Sequence, residues 1–261
     1  MILMSGKPEL LIVSEPLNGL ESVQHKFIFS FARSMQHQFN VTIASMKVSN
    51  NLRSAFELSN MRVIAPSNDV FSIGKVLSKF SLDNESTLWA EAWLREVFLF
   101  QNSGYITKIA DSKKFDYVIN TTNTIPIKCD LWWIQGVSAS TAMESMAFRK
   151  NWQRAFARMI ELGLRTPSIN IINRLNSKSD LRVANSNYIK NYYHNIGIAV
   201  DGVVHSFPDV SSFKKEDTRT GEKYVFGYVG KETEVDTLLR LTGENIKLIT
   251  FGREDLNNIR T

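Results

Sequence analysis

The chain has 261 residues, 43% apolar and 22% charged, enough for one large folded domain or for one domain and part of a second. No run of about 18 uninterrupted apolar residues occurs, so no membrane-crossing helix is expected, and the single cysteine, Cys129, excludes an intramolecular disulfide and fits a reducing cytoplasm. The net charge of +5 favours anionic partners such as nucleotides, phosphates, nucleic acid or acidic lipid without choosing among them.

The opening "MILMSGKPELLIVSEP" carries Pro8 and Glu9 and no basic leader, and reads as the approach to a first strand, not a signal peptide. "ELLIVSEP" is that strand, stopped at Pro16, and "LNGL" is a turn. "SVQHKFIFSFARSMQHQF" follows with Val23, Phe27, Phe31 and Met35 at a four-residue step, one face of a helix. "NVTIAS" and "NMRVIAP" are the second and third strands, the latter stopped by Pro66. A helix is predicted from about Leu88 to Asp111, then the strands "KFDYVINTTN" and "DLWWIQGVS". A helical region from about Thr141 to Gly163 leads through "RTPS" to a second helix near 168–178. "DLRVANSNYIKNYYHNIGI" is a strand, a polar turn and a helix, with Ser186 placed to cap the helix. The polar stretch "SSFKKEDTRTGEK" reads as an exposed boundary. Beyond it "KYVFGYVG", "EVDTLLRLT" and "NIKLITFG" give strand, helix and strand.

Strands alternating with helices predict an α/β fold: a Rossmann-like parallel sheet flanked by helices, then the start of a second Rossmann-like domain. Ligands of such sheets bind beyond the carboxyl ends of the strands. Those ends are Ser14-Glu15, Ser45, Asn120-Thr121-Thr122, Gln135-Gly136 and Asn185-Ser186. Polar groups there can line one wall of a ligand crevice, although strand ends are polar in many proteins simply because they meet water.

Chemical motifs are sparse. The four histidines are scattered without a second ligand at metal spacing, so no metal site is expected. "VGKET" has Val225 where a P-loop needs glycine and Glu232 where it needs Ser or Thr, and no complete G-x-G-x-x-G occurs. Cys129 reads as a small buried apolar group. "ESMAFRKNWQRAFARMIELGLR" sets Phe148, Trp152, Phe156, Met159 and Ile160 on one face. Arg149, Lys150, Arg154, Arg158 and Arg165 outnumber Glu144 and Glu161 elsewhere on it. Such a basic amphipathic helix either packs its aromatic face on the sheet or lies on anionic lipid through residues 144–165. One-sided aromatics argue against base stacking, so no nucleic-acid partner is expected.

In this order the pieces resemble the GT-B-fold retaining, nucleotide-sugar-dependent glycosyltransferases of the glycogen-synthase and mannosyltransferase kind. The matching stretches are "LNGLESVQ" after the first strand, "FDYVINTTN", and "WWIQG" with Gln135 where a histidine often stands. "RVANSNYIKNYYHNIGI", "GVVHSFPDV", "FGYVGK" and "KLITFG" complete the series. The resemblance implies an acceptor-side domain over 1–205, then a linker and the incomplete start of a donor-side domain over 206–261. It implies substrate contacts at Gly19, Asn120, Gln135, Gly136 and Ser186, and a diphosphate held by Gly230 and Lys231. Gly19 lacks a Cβ and so lets backbone approach a ligand closely. Lys231 follows Gly230 at a predicted strand end, within "GKETEVD", which is shorter and more acidic than the family pattern.

The implied activity is transfer of a sugar from a nucleotide-sugar, the co-substrate, to a hydroxyl of a saccharide or lipid-linked acceptor. No cofactor or metal is called for, and the implied location is the cytoplasm, peripheral at its membrane face. The family's paired-glutamate motif would lie past Thr261, so the chain reads as truncated and inactive in isolation. The alternative is a non-catalytic or split-subunit binding protein that keeps only the acceptor-side wall. Catalytic residues are not assigned.

Overall fold

The computed structural model describes residues 6–17, 23–66, 104–112, 114–136, 151–205, 224–229 and 247–252. By internal contacts the chain divides into two units, Met1–Ala139 with Leu164–Asp209, and Ser140–Gly163 with Val210–Thr261.

The first unit is built on a sheet of seven parallel strands, β1 (Glu9–Ser14), β2 (Asn40–Ser45), β3 (Arg62–Ile64), β4 (Tyr117–Asn120), β5 (Cys129–Ile134), β6 (Ser179–Ala184) and β7 (Gly202–Val203). Their spatial order is β3-β2-β1-β4-β5-β6-β7. Its helices are α1 (Val23–Met35), α2 (Asn50–Leu58), α3 (Gly104–Ala110), α4 (Asn151–Lys178, from Leu164 onward) and α5 (Asn187–Asn195). This is the Rossmann-like α/β architecture that the strand–helix alternation predicts.

Alternation along β1 explains why both faces are covered. Leu10 and Ile12 join Phe27, Ile28 and Phe31 of α1 and Leu52 and Phe56 of α2 in one core. Leu11 and Val13 point the other way, into a second core with Ile106 of α3, Ile171, Ile172 and Leu175 of α4, and Ile189 and Tyr193 of α5. A strand buried on both faces reads as a continuous apolar run, which is why "ELLIVS" was legible. The helix predicted with Val23, Phe27, Phe31 and Met35 on one face is α1, and Phe27 and Phe31 each meet Trp133 edge-on at 4.9 Å.

Three elements differ from expectation or extend it. Helix α2, capped by the Ser49 hydroxyl, fills a stretch to which sequence reading gave no element; only Leu52 and Phe56 of it are buried, too short an apolar pattern to stand out. The break expected at "RTPS" is absent, because α4 runs unbroken through Pro167. Proline removes one backbone hydrogen bond, but Ile171, Ile172 and Leu175 are anchored in the core directly after it. Of the helix expected from Leu88 to Asp111, the described residues begin at Gly104, and helix is observed over Gly104–Ala110.

Beyond α5, Gly197 takes φ +86°, and Ile198 N–H donates to the Tyr193 carbonyl at 2.9 Å. A left-handed residue closing a helix in this way is where glycine serves best.

In the second unit, β8 (Tyr224–Val229) and β9 (Lys247–Gly252) pair in parallel from Tyr224↔Lys247 to Val229↔Gly252. They are the strands expected at "KYVFGYVG" and "KLITFG". The helix expected between them lies outside the described residues, as does the boundary stretch 211–223.

Cys129 is buried at the start of β5, and its thiol donates to Ser179 Oγ at 3.4 Å. Burial pushes its pKa up from the ordinary 9.0 to about 11, opposed by the Ser179 hydrogen bond and reinforced by the charges of Asp130 and Asp180. The thiol is therefore expected to resist maleimide at pH 7–8 until the protein unfolds. The neutral form is favoured in the fold, so stability holds below pH 9 and falls as pH rises toward 11, by on the order of 2–3 kcal/mol. Urea melts from pH 8 to 11 check this; Cys129→Ala should flatten the alkaline decline.

Candidate functional site

The sheet order reverses between β1 and β4. β1 continues to β2 on one side, whereas β4 leads to β5 on the other. At such a switch point the connections leave in opposite directions and open the edge to ligands. The polar ends of β1, β4, β5 and β6 are gathered at this carboxyl edge.

The connection from β4 to β5 builds most of the site. Neighbouring parallel strands are usually joined through a helix of a dozen residues or more, yet here residues 121–128 make the crossing as irregular chain. Ile125 and Ile127 are fully buried, so the loop's backbone must find partners inside the protein. Asn120, itself fully buried, supplies two and holds the Thr122 hydroxyl as well. Its Nδ2 donates to the Ile125 carbonyl at 2.8 Å, and its Oδ1 accepts from Thr122 N–H at 3.0 Å and Thr122 Oγ at 2.9 Å. Thr121 donates from both N–H and hydroxyl to the Val13 carbonyl, each at 2.9 Å, which ties the loop to β1. Trp132 Nε1 donates to the Thr122 carbonyl at 2.9 Å, and Lys178 Nζ to the Pro126 carbonyl at 2.9 Å.

Glu15 closes the loop from the β1 side. Its Oε1 accepts from Asn123 N–H at 3.2 Å and from the Thr124 hydroxyl at 2.9 Å. The β1 end is held in turn by Ser45, whose hydroxyl donates to the Glu15 carbonyl at 3.0 Å. On the β5 side, the Gly136 carbonyl accepts from Asn123 Nδ2 at 3.1 Å and from the Tyr193 hydroxyl at 3.3 Å. The Gln135 carbonyl accepts from Asn185 Nδ2 at 2.7 Å. Ser186 is the N-cap of α5, accepting from Ile189 N–H at 3.3 Å and donating to Asn185 Oδ1 at 3.1 Å. Four strand ends are thus stitched into one rigid rim.

Among the residues singled out from sequence, Asn120, Gln135, Gly136 and Ser186 share this rim. Asn120 shapes the loop with its whole amide, and Ser186 caps α5. A Cβ added at Gly136 would meet only Asn123 Nδ2, at 3.8 Å, ordinary contact. Gly19, Gly230 and Lys231 lie outside the described residues. Sequence reading set Glu15 among the polar strand ends but missed Asn123 and Thr124 as parts of this rim. The signal present was the polar run after β4 with no helix before β5.

Several buried polar atoms have no hydrogen-bond partner: Ser14 Oγ, Thr42 Oγ, Asn123 Oδ1, Trp133 Nε1 and Gln135 Nε2. Three of them, on Ser14, Asn123 and Gln135, belong to the tips of β1, β4 and β5. Among the described residues no group of three or more His, Cys, Asp or Glu could hold a metal ion, and no helix is long and apolar enough to cross a membrane. Of the basic amphipathic stretch, α4 begins at Asn151, and Arg158, Leu162 and Arg165 are exposed on it.

The class that these elements define is a Rossmann-like α/β protein with a polar carboxyl edge at its switch point. No protein-family model and no curated protein matches the chain. Among solved structures it is similar to Anabaena HepE in complex with UDP-glucose, at 12% identity and TM-score 0.46 over 95% of this chain and 63% of that one. It is also similar to Phytolacca americana UGT2 complexed with UDP-2-fluoro-glucose and pterostilbene, at 9% identity and TM-score 0.46 over 97% of this chain and 73% of that one. A third likeness is to the glycosyltransferase SnogD from Streptomyces nogalater, at 13% identity and TM-score 0.41 over 94% and 72%. The chain spans 63% of the length of HepE.

Proposed function

We propose that the chain is a glycosyltransferase of the GT-B type, which moves a sugar from a nucleotide-sugar to an acceptor hydroxyl. Residues 1–205 are its acceptor-side domain and 206–261 open its donor-side domain. The observation that carries this reading is the rim of Glu15, Asn123, Gln135 and Gly136 at the switch point, with hydrogen-bonding atoms left unpaired at the strand tips. The order of motifs along the chain supports it as well.

Sugar transfer requires a leaving diphosphate to be stabilised, a hydroxyl to be aimed at the anomeric carbon, and water to be kept out. Backbone N–H groups and one basic side chain can stabilise a diphosphate without metal. Gly19, Gly230 and Lys231 are the residues proposed for that work, and Gln135 for contact with sugar hydroxyls. Gln135 can donate and accept hydrogen bonds but cannot take a proton as a histidine would. It therefore serves orientation, not acid–base chemistry.

The test is calorimetry of the full chain against a panel of UDP-, GDP- and ADP-sugars. One nucleotide-sugar should bind saturably. A hydrogen bond to a charged group contributes about 1.5–3 kcal/mol, so Lys231→Ala should weaken that binding roughly tenfold to a hundredfold. Saturable binding by none of the panel would overturn the reading; unchanged affinity in Lys231→Ala would remove Lys231 from the phosphate site.

A further inference from the structure

Helix α4 carries a face that the core does not use. Toward the sheet it buries Ile171, Ile172 and Leu175. Ala155, Arg158, Leu162, Arg165 and Ile169 recur along it at steps of three and four residues, and all five are exposed, Leu162 by 63% and Ile169 by 46%. At about 100° and 1.5 Å per residue they share about 80° of the helix circumference and run for about 21 Å. Apolar residues at this spacing ordinarily mark the side of a helix that packs on a core. Here they face water. The break expected at "RTPS" would have separated Ile169 from the arginines; the unbroken α4 sets them on one face.

The charge on the helix is of one sign. Five of its 28 residues are basic, Arg154, Arg158, Arg165, Arg174 and Lys178, and one is acidic, Glu161. Two copies of the face would set arginine against arginine, which disfavours self-association. A nucleic-acid backbone would neutralise Arg158 and Arg165 but leave Leu162 and Ile169 in water, because aliphatic chains neither stack on bases nor bond phosphates. An anionic bilayer surface satisfies both kinds of side chain. Leucine and isoleucine enter the boundary between headgroups and acyl chains, while each arginine lays its methylene stem on the apolar layer and raises its guanidinium to the lipid phosphates.

We propose that this face of α4 docks the protein on an anionic membrane surface, with the helix lying in the plane of the interface. The docking face goes beyond the transferase reading and does not depend on it. Arg158 and Arg165 supply attraction to the surface, and Leu162 and Ile169 supply the apolar contact that makes it more than adsorption by charge.

The experiment is flotation of the full chain with two kinds of vesicle, phosphatidylcholine alone and equal parts phosphatidylcholine and phosphatidylglycerol. The chain should float with the mixed vesicles and stay behind with the neutral ones. Arg158→Gln and Arg165→Gln should each weaken partitioning about fivefold, the share of one basic residue at such a surface. Leu162→Gln combined with Ile169→Gln keeps the charge and should weaken it by about tenfold or more, since two aliphatic chains no longer leave water. Lys26→Gln removes one exposed charge from α1 and should leave partitioning unchanged. All substituted side chains are exposed, so the variants should match the parent in thermal melts.

Equal flotation with both kinds of vesicle, flotation with neither, or a Leu162→Gln/Ile169→Gln variant that floats like the parent would overturn the proposal. A loss in Lys26→Gln as large as that in Arg158→Gln would reduce the effect to net charge and overturn it as well. Titration against duplex of random sequence runs alongside. Binding there that the arginine variants weaken, without flotation, assigns the face to nucleic acid instead.

Discussion

Trp132→Ala is expected to destabilise the protein by about 3–5 kcal/mol, the range for emptying a large aromatic site in a core. Trp132 is fully buried at the centre of β5, in the core formed with α3, α4 and α5. Its ring meets Tyr193 edge-on at 5.5 Å, a geometry that adds to simple area burial. Its Nε1 also supplies the hydrogen bond to the Thr122 carbonyl in the β4–β5 loop. Truncation therefore opens a cavity and orphans a buried acceptor at once.

Trp132→Phe separates the two effects. It keeps most of the ring and loses the N–H, and should cost about 1–3 kcal/mol. Urea denaturation followed by far-UV circular dichroism measures both. Proteins of this kind are stable by only about 5–15 kcal/mol, so Trp132→Ala will bring the fold near its limit. A loss below about 1 kcal/mol for Trp132→Ala would mean that the packing around Trp132 is not as described.

Asn120→Ala is the second large expectation, at about 3 kcal/mol. The side chain contributes three hydrogen bonds inside the protein, and its removal leaves the Ile125 carbonyl and the Thr122 N–H and hydroxyl to find other partners. Each unsatisfied buried group costs about 1–3 kcal/mol, and the effects of neighbouring groups do not simply add. Asn120→Asp is nearly the same size but turns an acceptor toward the Ile125 carbonyl, so it should be at least as damaging.

The readout that distinguishes a loop effect from general loosening is amide hydrogen exchange. Thr122 and Ile125 should lose protection in Asn120→Ala well before the β1–β2 ladder does. Protection that is lost equally throughout the sheet would assign Asn120 to global stability alone. Because Asn123 follows in the same loop, ligand binding at the rim should weaken together with this protection.

The parts of this protein that were legible in sequence are those governed by short-range pattern. β1, β2, β4 and β5 announce themselves as apolar runs because a parallel strand is buried on both faces, whereas β6, with Asp180 and Leu181 exposed, is marked by the capped helix that follows it. The four-residue step of Phe27, Phe31 and Met35 marks α1 in the same way. Ser186 was legible as a cap because the hydroxyl acts on the N–H three residues on. The polar ends of the strands also followed from sequence order alone.

Helix α2 was not legible, since two buried residues in nine do not make a period. The continuity of α4 was hidden by Pro167, whose local cost is visible in sequence, whereas the compensating burial of Ile171, Ile172 and Leu175 depends on what they pack against. Asn123 illustrates the limit best. Nothing in "NTTNT" distinguishes one asparagine from the other. Asn120 and Asn123 part ways only because Glu15 and Gly136, 108 and 13 residues away from Asn123 along the chain, arrive beside the loop.

The chain by itself determined the alternation of elements, the parallel sheet that this implies, and the polar character of its carboxyl edge, because burial on two faces and backbone capping are local demands. Tertiary structure alone decided which polar groups at that edge are spent on each other and which remain unpaired. Hydrogen-bond satisfaction is settled between segments far apart in sequence, once the sheet has brought them within about 3 Å.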